Sequence, residues 1–225
     1  MQKELKDFIK GLSVLLLYLL SSFITALFVS LLHININNFT KMQKIIYNLS
    51  NELILVFIII LIYRKKIIND FKNFKNCHFI NYIRYWLIAI TLMLISNIII
   101  NMITGIDTST NQEIIVNTLK KAPIYTAVLT IIIAPILEEL VFRLSFKKMF
   151  KTNIIFIITS GLFFGFMHVS DPKSLIELIY IIPYSIPGFI FAYTLTKSNN
   201  IMVPIGLHFI HNTSMFILQL ILILL

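Results

Sequence analysis

The chain has 225 residues, of which 58% are hydrophobic and only 13% are charged. Because a soluble domain carries about a quarter charged residues, this composition excludes a disordered chain, argues against a soluble enzyme and predicts a protein that crosses the membrane several times. A net charge of +9 would suggest nucleic-acid binding in a soluble protein. Here the basic residues lie between apolar runs, so the lipid bilayer is the expected partner and nucleic acid is not.

Seven apolar runs follow one another along the chain and predict seven transmembrane helices. The runs lie at about 12–32, 45–63, 85–103, 123–143, 153–169, 175–196 and 201–224. The count becomes eight if the last run breaks into two short pieces. No internal repeat or linker divides the chain. The predicted fold is therefore all-α, a polytopic transmembrane helical bundle that forms a single membrane-embedded domain over residues 1–225.

The Lys and Arg residues between the runs set the predicted orientation, because cytoplasmic loops carry an excess of positive charge. If the N-terminus is cytoplasmic, 14 of the 19 basic residues lie inside and 5 lie outside. We therefore expect a multi-pass protein of the cell membrane with its N-terminus in the cytoplasm and its C-terminus outside.

Two glutamates and an arginine lie inside the fourth apolar run, where ionisable side chains are costly and usually mark function. Glu139 and Arg143 are four residues apart with the acid first, which favours an ion pair on one helix face. Glu138 points about 100° away from Glu139 on a helix and is left without a local partner. It can therefore act as a general base in an apolar cavity. The alternative is a structural ion-pair network of all three residues.

His168 follows Phe164 by one helical turn, so the phenyl ring can support the imidazole from the same face. The midpoint between Glu138 and His168 is Asn153, which lies in a polar turn. Fifteen residues on each arm place both side chains roughly 22 Å from that turn. A carboxylate and an imidazole at one depth suit water activation or metal binding. The alternative is that His168 caps a helix or lies at the membrane interface.

The last run carries His208 and Asn212, which are four residues apart and share a helix face. An imidazole and an amide on one face can donate hydrogen bonds to a developing oxyanion. The same residue types also form polar contacts between membrane helices. His211 lies near this face as well, and the spacing alone does not choose between the two histidines.

Other polar residues within the runs are interpreted as structural. Glu52 and Asn97 are expected to form hydrogen bonds between helices or at the membrane interface. Glu177 lies near the start of the sixth run, where an acidic residue complements the helix dipole. Pro183, Pro187 and Gly188 are expected to kink that run.

The motifs EELVFR, FGFMH and HFIHN occur in this order on three predicted helices between residues 138 and 212. Together they resemble the CPBP family of CAAX proteases and bacteriocin-processing enzymes, also called the Abi family of intramembrane metalloproteases. The pattern of that family is EExxxR, then FxxxH, then Hxxx followed by Asn or a similar residue. The resemblance implies a membrane-embedded endopeptidase similar to CAAX prenyl protease 2. It also implies an intramembrane catalytic cavity, with a catalytic core at about residues 122–225.

The resemblance implies a role for each motif residue. Glu138 and His168 would activate a water molecule. His208 and Asn212 would hold the oxyanion, and the family pattern favours His208 over His211. The supporting residues would be Glu139, Arg143 and Phe164.

Two mechanisms remain open at this stage. One uses the water activated by Glu and His without a metal, and the other binds zinc through Glu138, His168 and His208 with an open position for water. The expected substrate is a peptide or protein at the membrane, in bacterial bacteriocin or pheromone maturation or in self-immunity. The rival interpretation is a non-enzymatic immunity factor or a proton-coupled transporter with a Glu and His relay. The sequence has no repeated half, which argues against transport.

Overall fold

The computed structural model describes residues 2–224, and all regular secondary structure in that range is helical. We number eight helices in chain order: α1 Gln2–Leu31, α2 Lys41–Asn73, α3 Ile80–Thr104, α4 Thr110–Lys121, α5 Pro123–Met149, α6 Asn153–Met167, α7 Ile181–Ser198 and α8 Met202–Leu224. The predicted all-α membrane bundle is thereby confirmed.

Each of the seven apolar runs forms a helix, but the helices differ in their ability to span a bilayer. Within residues 2–224, six segments are long and apolar enough to cross a membrane: α1, α2, α3, α5, α7 with the turn before it, and α8. Helix α6 has 15 residues, fewer than the about 20 that a full crossing requires. Six segments of residues 2–224 therefore qualify as full spans by length and composition, where the sequence predicted seven, and α6 is a shorter apolar helix. The last run is not divided, because α8 is continuous.

Two segments that the sequence placed between spans are helical. Helix α2 continues past the apolar run to Asn73, through the basic segment, where Lys66 and Asp70 form an ion pair of 2.8 Å one turn apart. Helix α4 lies between the third and fourth apolar runs, where no apolar run was predicted. It begins after Ser109, whose hydroxyl accepts a hydrogen bond from the backbone N–H of Gln112 at 3.3 Å.

The largest hydrophobic core lies where α1, α2 and α5 meet. Val14, Ile59, Val141 and Phe142 are all at most 1% exposed there. The outward faces of these helices carry exposed Leu, Ile and Phe side chains, as expected for contact with lipid. Helix α5 is therefore buried between its neighbours, which places its polar residues inside the protein.

Helices α6 and α7 approach each other closely through two glycines. A Cβ atom on Gly188 would lie 2.9 Å from the backbone oxygen of Gly161, and a Cβ atom on Gly161 would lie 2.1 Å from the ring of Phe189. Small residues at such a crossing let membrane helices pack backbone to backbone. The chain remains helical through Pro187 in α7. This packing fixes the end of α6 and hence the position of His168.

Glu177 lies in the first turn of its own short 3₁₀ helix, Leu175–Tyr180, as predicted, and it also contacts the start of α4. Its Oε2 accepts hydrogen bonds from the backbone N–H and the hydroxyl of Thr110, the first residue of α4, at 3.1 and 2.7 Å. Beside it, the hydroxyls of Ser109 and Tyr184 are hydrogen-bonded at 2.8 Å. These contacts hold the start of α4 against the segment that leads into α7.

Candidate active site

A cavity of about 530 Å³ lies inside the bundle, and every one of the eight helices contributes to its wall. Glu138 on α5, His168 just after α6, and His208 and Asn212 on α8 all line it, as does Phe164. The fold therefore brings all three sequence motifs to one space.

Glu139 and Arg143 lie behind the cavity wall and form the predicted ion pair. Both side chains are fully buried, and Nε of Arg143 is 3.0 Å from Oε2 of Glu139. Nη1 of Arg143 donates a hydrogen bond of 2.8 Å to the Ser160 hydroxyl on α6. The guanidinium also lies 4.8 Å from the centre of the Phe164 ring. Arg143 thereby joins α5 to α6 as well as balancing the charge of Glu139.

Glu139 has a second partner that the sequence did not predict. Its Oε1 lies 2.9 Å from Nδ1 of His208, 69 positions further along the chain. Because a carboxylate paired with Arg143 only accepts hydrogen bonds, Nδ1 of His208 is the donor. Nε2 of the same ring faces Glu138. Glu139 therefore fixes the orientation of His208 at the cavity wall.

Glu138 is the glutamate that faces the cavity. Its side chain is 17% exposed, and among the described residues its Oε2 has no hydrogen-bond partner. Nε2 of His208 is 3.7 Å from this oxygen, which is longer than a direct hydrogen bond. No hydrogen bond from the described chain therefore occupies this oxygen.

The His168 ring is held on both faces. It stacks on Tyr184 with ring centres 4.9 Å apart, and it lies 4.5 Å from Phe164, as the one-turn spacing predicted. Its Nδ1 donates a hydrogen bond of 2.9 Å to the Phe164 carbonyl, so Nε2 of the neutral ring carries a lone pair. Phe164 also contacts the His208 ring at 5.7 Å. The two imidazoles therefore flank one phenyl ring.

Asn212 lines the cavity, but its amide already makes a hydrogen bond between helices. Its Nδ2 donates to the backbone oxygen of Thr130 on α5 at 2.8 Å. Thr130 lies in a π-helical stretch, Val128–Ile133, and a second such stretch covers Glu139–Ser145. Stretches of this kind interrupt regular α-helical bonding and are frequent at functional sites. One N–H of Asn212 remains for a hydrogen bond in the cavity.

His211 also belongs to the cavity wall. It is 8% exposed, its ring packs against Phe191 at 6.3 Å, and its buried Nδ1 has no hydrogen-bond partner among the described residues. All three histidines of the second and third motifs therefore face one space.

Three residues that hold the site were not singled out from the sequence: Ser160, Tyr184 and Phe191. Ser160 and Tyr184 are polar residues within apolar runs, and a search for such residues could have found them. Phe191 lies 5.1 Å from the His208 ring. It is one of 19 phenylalanines in the chain, so its type alone carried no information.

The zinc alternative requires three ligands around one point. His208 has its Nδ1 held by a carboxylate, which is a common support for a metal-binding histidine. However, residues 2–224 contain no group of three His, Cys, Asp or Glu side chains spaced to hold a metal ion. The side chains of Glu138, His168 and His208 line one cavity without forming such a ligand set. We therefore derive no step of the reaction through a metal.

Comparisons with known proteins point to the same part of the chain. Residues 120–214 match the family model described as Type II CAAX prenyl endopeptidase Rce1-like. A Bacillus subtilis protein named "Putative membrane peptidase YdiL" is 33% identical over 115 residues, which are 50% of this chain and 44% of that protein. An uncharacterised protein of Mycoplasma capricolum is 36% identical over 74 residues, 32% of this chain and 21% of that protein.

The match thus covers less than half the length of either relative. No solved structure matches the chain. All seven residues of the three predicted motifs, from Glu138 to Asn212, lie inside the segment that the family model matches. The comparisons therefore confirm the resemblance carried by the motifs: residues 120–214 are similar to the Rce1-like CAAX prenyl endopeptidases, and the chain is similar to a protein named as a membrane peptidase.

Proposed function

We propose that this chain is a membrane-embedded endopeptidase that hydrolyses peptide bonds with a water molecule activated by Glu138. One observation carries the proposal: Glu138, His168 and His208, from three separate helices, line one cavity of a membrane bundle. The matched segment contains all three residues. Hydrolysis by water needs a general base, a second group that accepts a hydrogen bond from the water, and a hydrogen-bond donor for the oxyanion, all around one space.

In the proposed reaction, Glu138 accepts a proton from water as the water oxygen attacks the peptide carbonyl carbon. The lone pair on Nε2 of His168 accepts the second hydrogen bond of that water and orients it. When the carbon–nitrogen bond breaks, the leaving amine takes the proton that Glu138 holds. No hydrogen bond within the described residues competes for Oε2 of Glu138, and Nε2 of His208 lies 3.7 Å from it.

His208 and Asn212 are proposed to stabilise the oxyanion. Because Nδ1 of His208 already donates to Glu139, the ring can donate from Nε2 only in its doubly protonated form, with Glu138 and Glu139 as the nearby negative charges. Asn212 can use the N–H that it does not share with Thr130. Glu139 and Arg143 act through His208 and are positioning residues.

We further propose that the substrate is a bacterial peptide, either a bacteriocin or pheromone precursor or a peptide against which the cell protects itself. The two relatives are bacterial proteins, and one carries a membrane-peptidase name. A peptide that partitions into the bilayer can reach a cavity formed by membrane helices.

The test is to incubate the purified full-length protein in detergent with a mixture of synthetic peptides and to identify the products by mass spectrometry. The wild-type protein should produce new peptide ends, and a folded Glu138→Ala variant should not. Folded wild-type protein that cleaves none of the peptides would favour the non-enzymatic interpretation. A parallel sample with a metal chelator tests the zinc alternative, because the mechanism above predicts that activity survives chelation.

A further inference from the structure

The cavity extends well beyond the three motifs. Towards α1, α2, α3 and α4 its wall includes Tyr18, Glu52, Asn97 and Gln112. Pockets of a few hundred cubic ångströms and more enclose most of a small ligand's surface. The cavity of about 530 Å³ therefore has room for a segment of substrate next to the bond that is cleaved.

The charge of this wall is opposite to that of the protein. The chain has 19 Lys and Arg against 10 Asp and Glu. The described lining nevertheless contains three carboxylates, those of Glu52, Asp107 and Glu138, and no Lys or Arg side chain. Asp107 is exposed and accepts a hydrogen bond from Asn101, whereas Glu52 and Glu138 are partly buried. Carboxylates that line one space repel each other, so a positive charge between them is favoured.

Among the carboxylates of the cavity wall, Glu52 is the one whose position no contact with the described chain explains. It is half-buried on α2, inside a candidate membrane span. The hydrogen bond to another helix that the sequence predicted is not present, and within residues 2–224 Glu52 has no hydrogen-bond or ion-pair partner. By contrast, Glu139 is paired with Arg143, and Asp70 with Lys66. Acidic groups at membrane depth are usually paired, because the unpaired charge is costly.

His211 is a second polar residue of the cavity wall that has an atom without a protein partner. It is 8% exposed in the cavity wall, and its Nδ1 has no partner among the described residues. A buried polar atom without a partner costs stability and calls for an explanation. A neutral imidazole offers one lone pair, which can accept a hydrogen bond from a bound donor.

We propose that the cavity binds a substrate segment that carries a positively charged group, and that Glu52 is the residue that selects it. The group is a Lys or Arg side chain or a free α-amino group, since both are cations with several N–H donors. The proposal rests on the proposed peptidase function and adds the chemical class of its substrate. Loss of the Glu52 charge therefore changes which peptides are bound and cleaved.

The experiment uses three matched pools of synthetic peptides that differ only in carrying Lys, Gln or Glu at one position. The wild-type protein should cleave the Lys pool about tenfold faster than the Gln pool, the size expected for a partly shielded charge pair of about 1.4 kcal/mol. This ratio should fall to about one in Glu52→Gln and be restored in Glu52→Asp. A further pair of Lys-free pools, with free and acetylated N-termini, separates the α-amino group from the side chain.

Glu113→Gln is the matched control, because Glu113 lies outside the cavity wall and its carboxylate is bonded to Lys173. That contact raises the pKa of the Lys173 ammonium above its usual value, through the hydrogen bond and the charge of Glu113. The control variant should keep the wild-type preference. A wild-type protein without a preference, or a Glu52→Gln variant that keeps it, would overturn the proposal.

Binding of fluorescent peptides to Glu138→Gln separates this inference from the peptidase function. If Glu138→Gln binds the Lys pool better than the Gln pool, and the double variant with Glu52→Gln does not, the cation site is supported. Such a result without any cleavage by the wild-type protein would contradict the peptidase function alone. Equal binding of all pools would contradict the cation site.

Discussion

Glu138 and Glu139 are adjacent in the sequence and have opposite surroundings. Glu139 is fully buried and uses both oxygens on protein partners, Arg143 and His208. Glu138 faces the cavity with one oxygen that has no partner in the described chain. The 100° between successive helical residues is enough to separate a positioning group from a reactive one.

The two histidines of the third motif should differ strongly in their effect on turnover. His208→Ala should lower kcat by about 10²–10³, the usual cost of a lost oxyanion donor. Asn212→Ala should remove a substantial part of the activity. His211→Ala should cost far less than His208→Ala, because its ring packs against Phe191 and not on Glu139.

These effects are measured by comparing kcat for the three variants on one peptide, after their folding has been checked. A fully active His208→Ala protein together with an inactive His211→Ala protein would show that the site is assigned to the wrong histidine.

At the residue scale, sequence spacing predicted the contacts within one helix turn and missed those between helices. The Glu139–Arg143 pair and the Phe164–His168 contact follow from four-residue spacing. The bonds from Glu139 to His208 and from Asn212 to Thr130 depend on how α5 and α8 pack. No local pattern encodes that packing.

Arg143 on α5 is hydrogen-bonded to Ser160 on α6, and loss of its side chain should strongly destabilise the protein. Arg143→Ala leaves Glu139 buried without its counter-charge and should cost about 3–5 kcal/mol. Lys148→Ala removes a partly exposed ion pair with Asp7 and should cost at most about 1 kcal/mol. Thermal unfolding in detergent measures both. Similar melting temperatures for the two variants would contradict a buried ion pair at Arg143.

A larger side chain at the crossing of α6 and α7 should also destabilise the protein. Gly188→Ala places a methyl group 2.9 Å from the backbone oxygen of Gly161, which cannot move without shifting a helix. The variant should be destabilised by about 1–3 kcal/mol. In Gly206→Ala the new methyl group meets the end of the Phe79 side chain, which can rotate away. Equal stability of the two variants, measured by thermal unfolding, would disprove the backbone contact.

At the scale of the elements, the apolar runs predicted the membrane helices, but they did not predict the helical segments that are polar. The extension of α2 to Asn73 and the whole of α4 are polar, so a search for apolar runs cannot find them. The Ser109 cap and the single buried Leu119 are the weak local signals of α4. Its contact with Glu177, 67 positions away, depends on the fold.

The orientation of the whole molecule is predicted by the distribution of Lys and Arg and can be tested with cysteine labelling. Cys77 is the single cysteine and follows α2, on the side predicted to be cytoplasmic. The exposed Asn117 on α4 should face outside. In intact cells, a membrane-impermeant thiol reagent should label Asn117→Cys in a Cys77→Ser background and should leave the wild-type protein unlabelled. Labelling with the reverse pattern would invert the topology, and lysed cells provide the control in which both proteins react.

The most direct test of a peptidase built on Glu138 is the Glu138→Gln variant, which keeps the size of the side chain and removes its basicity. General-base catalysis contributes roughly 10²–10⁴-fold to a rate. We therefore expect kcat to fall by at least about 10² while the melting temperature in detergent stays close to that of the wild-type protein. Near-wild-type turnover by a well-folded Glu138→Gln protein would contradict the assignment of Glu138 as the base.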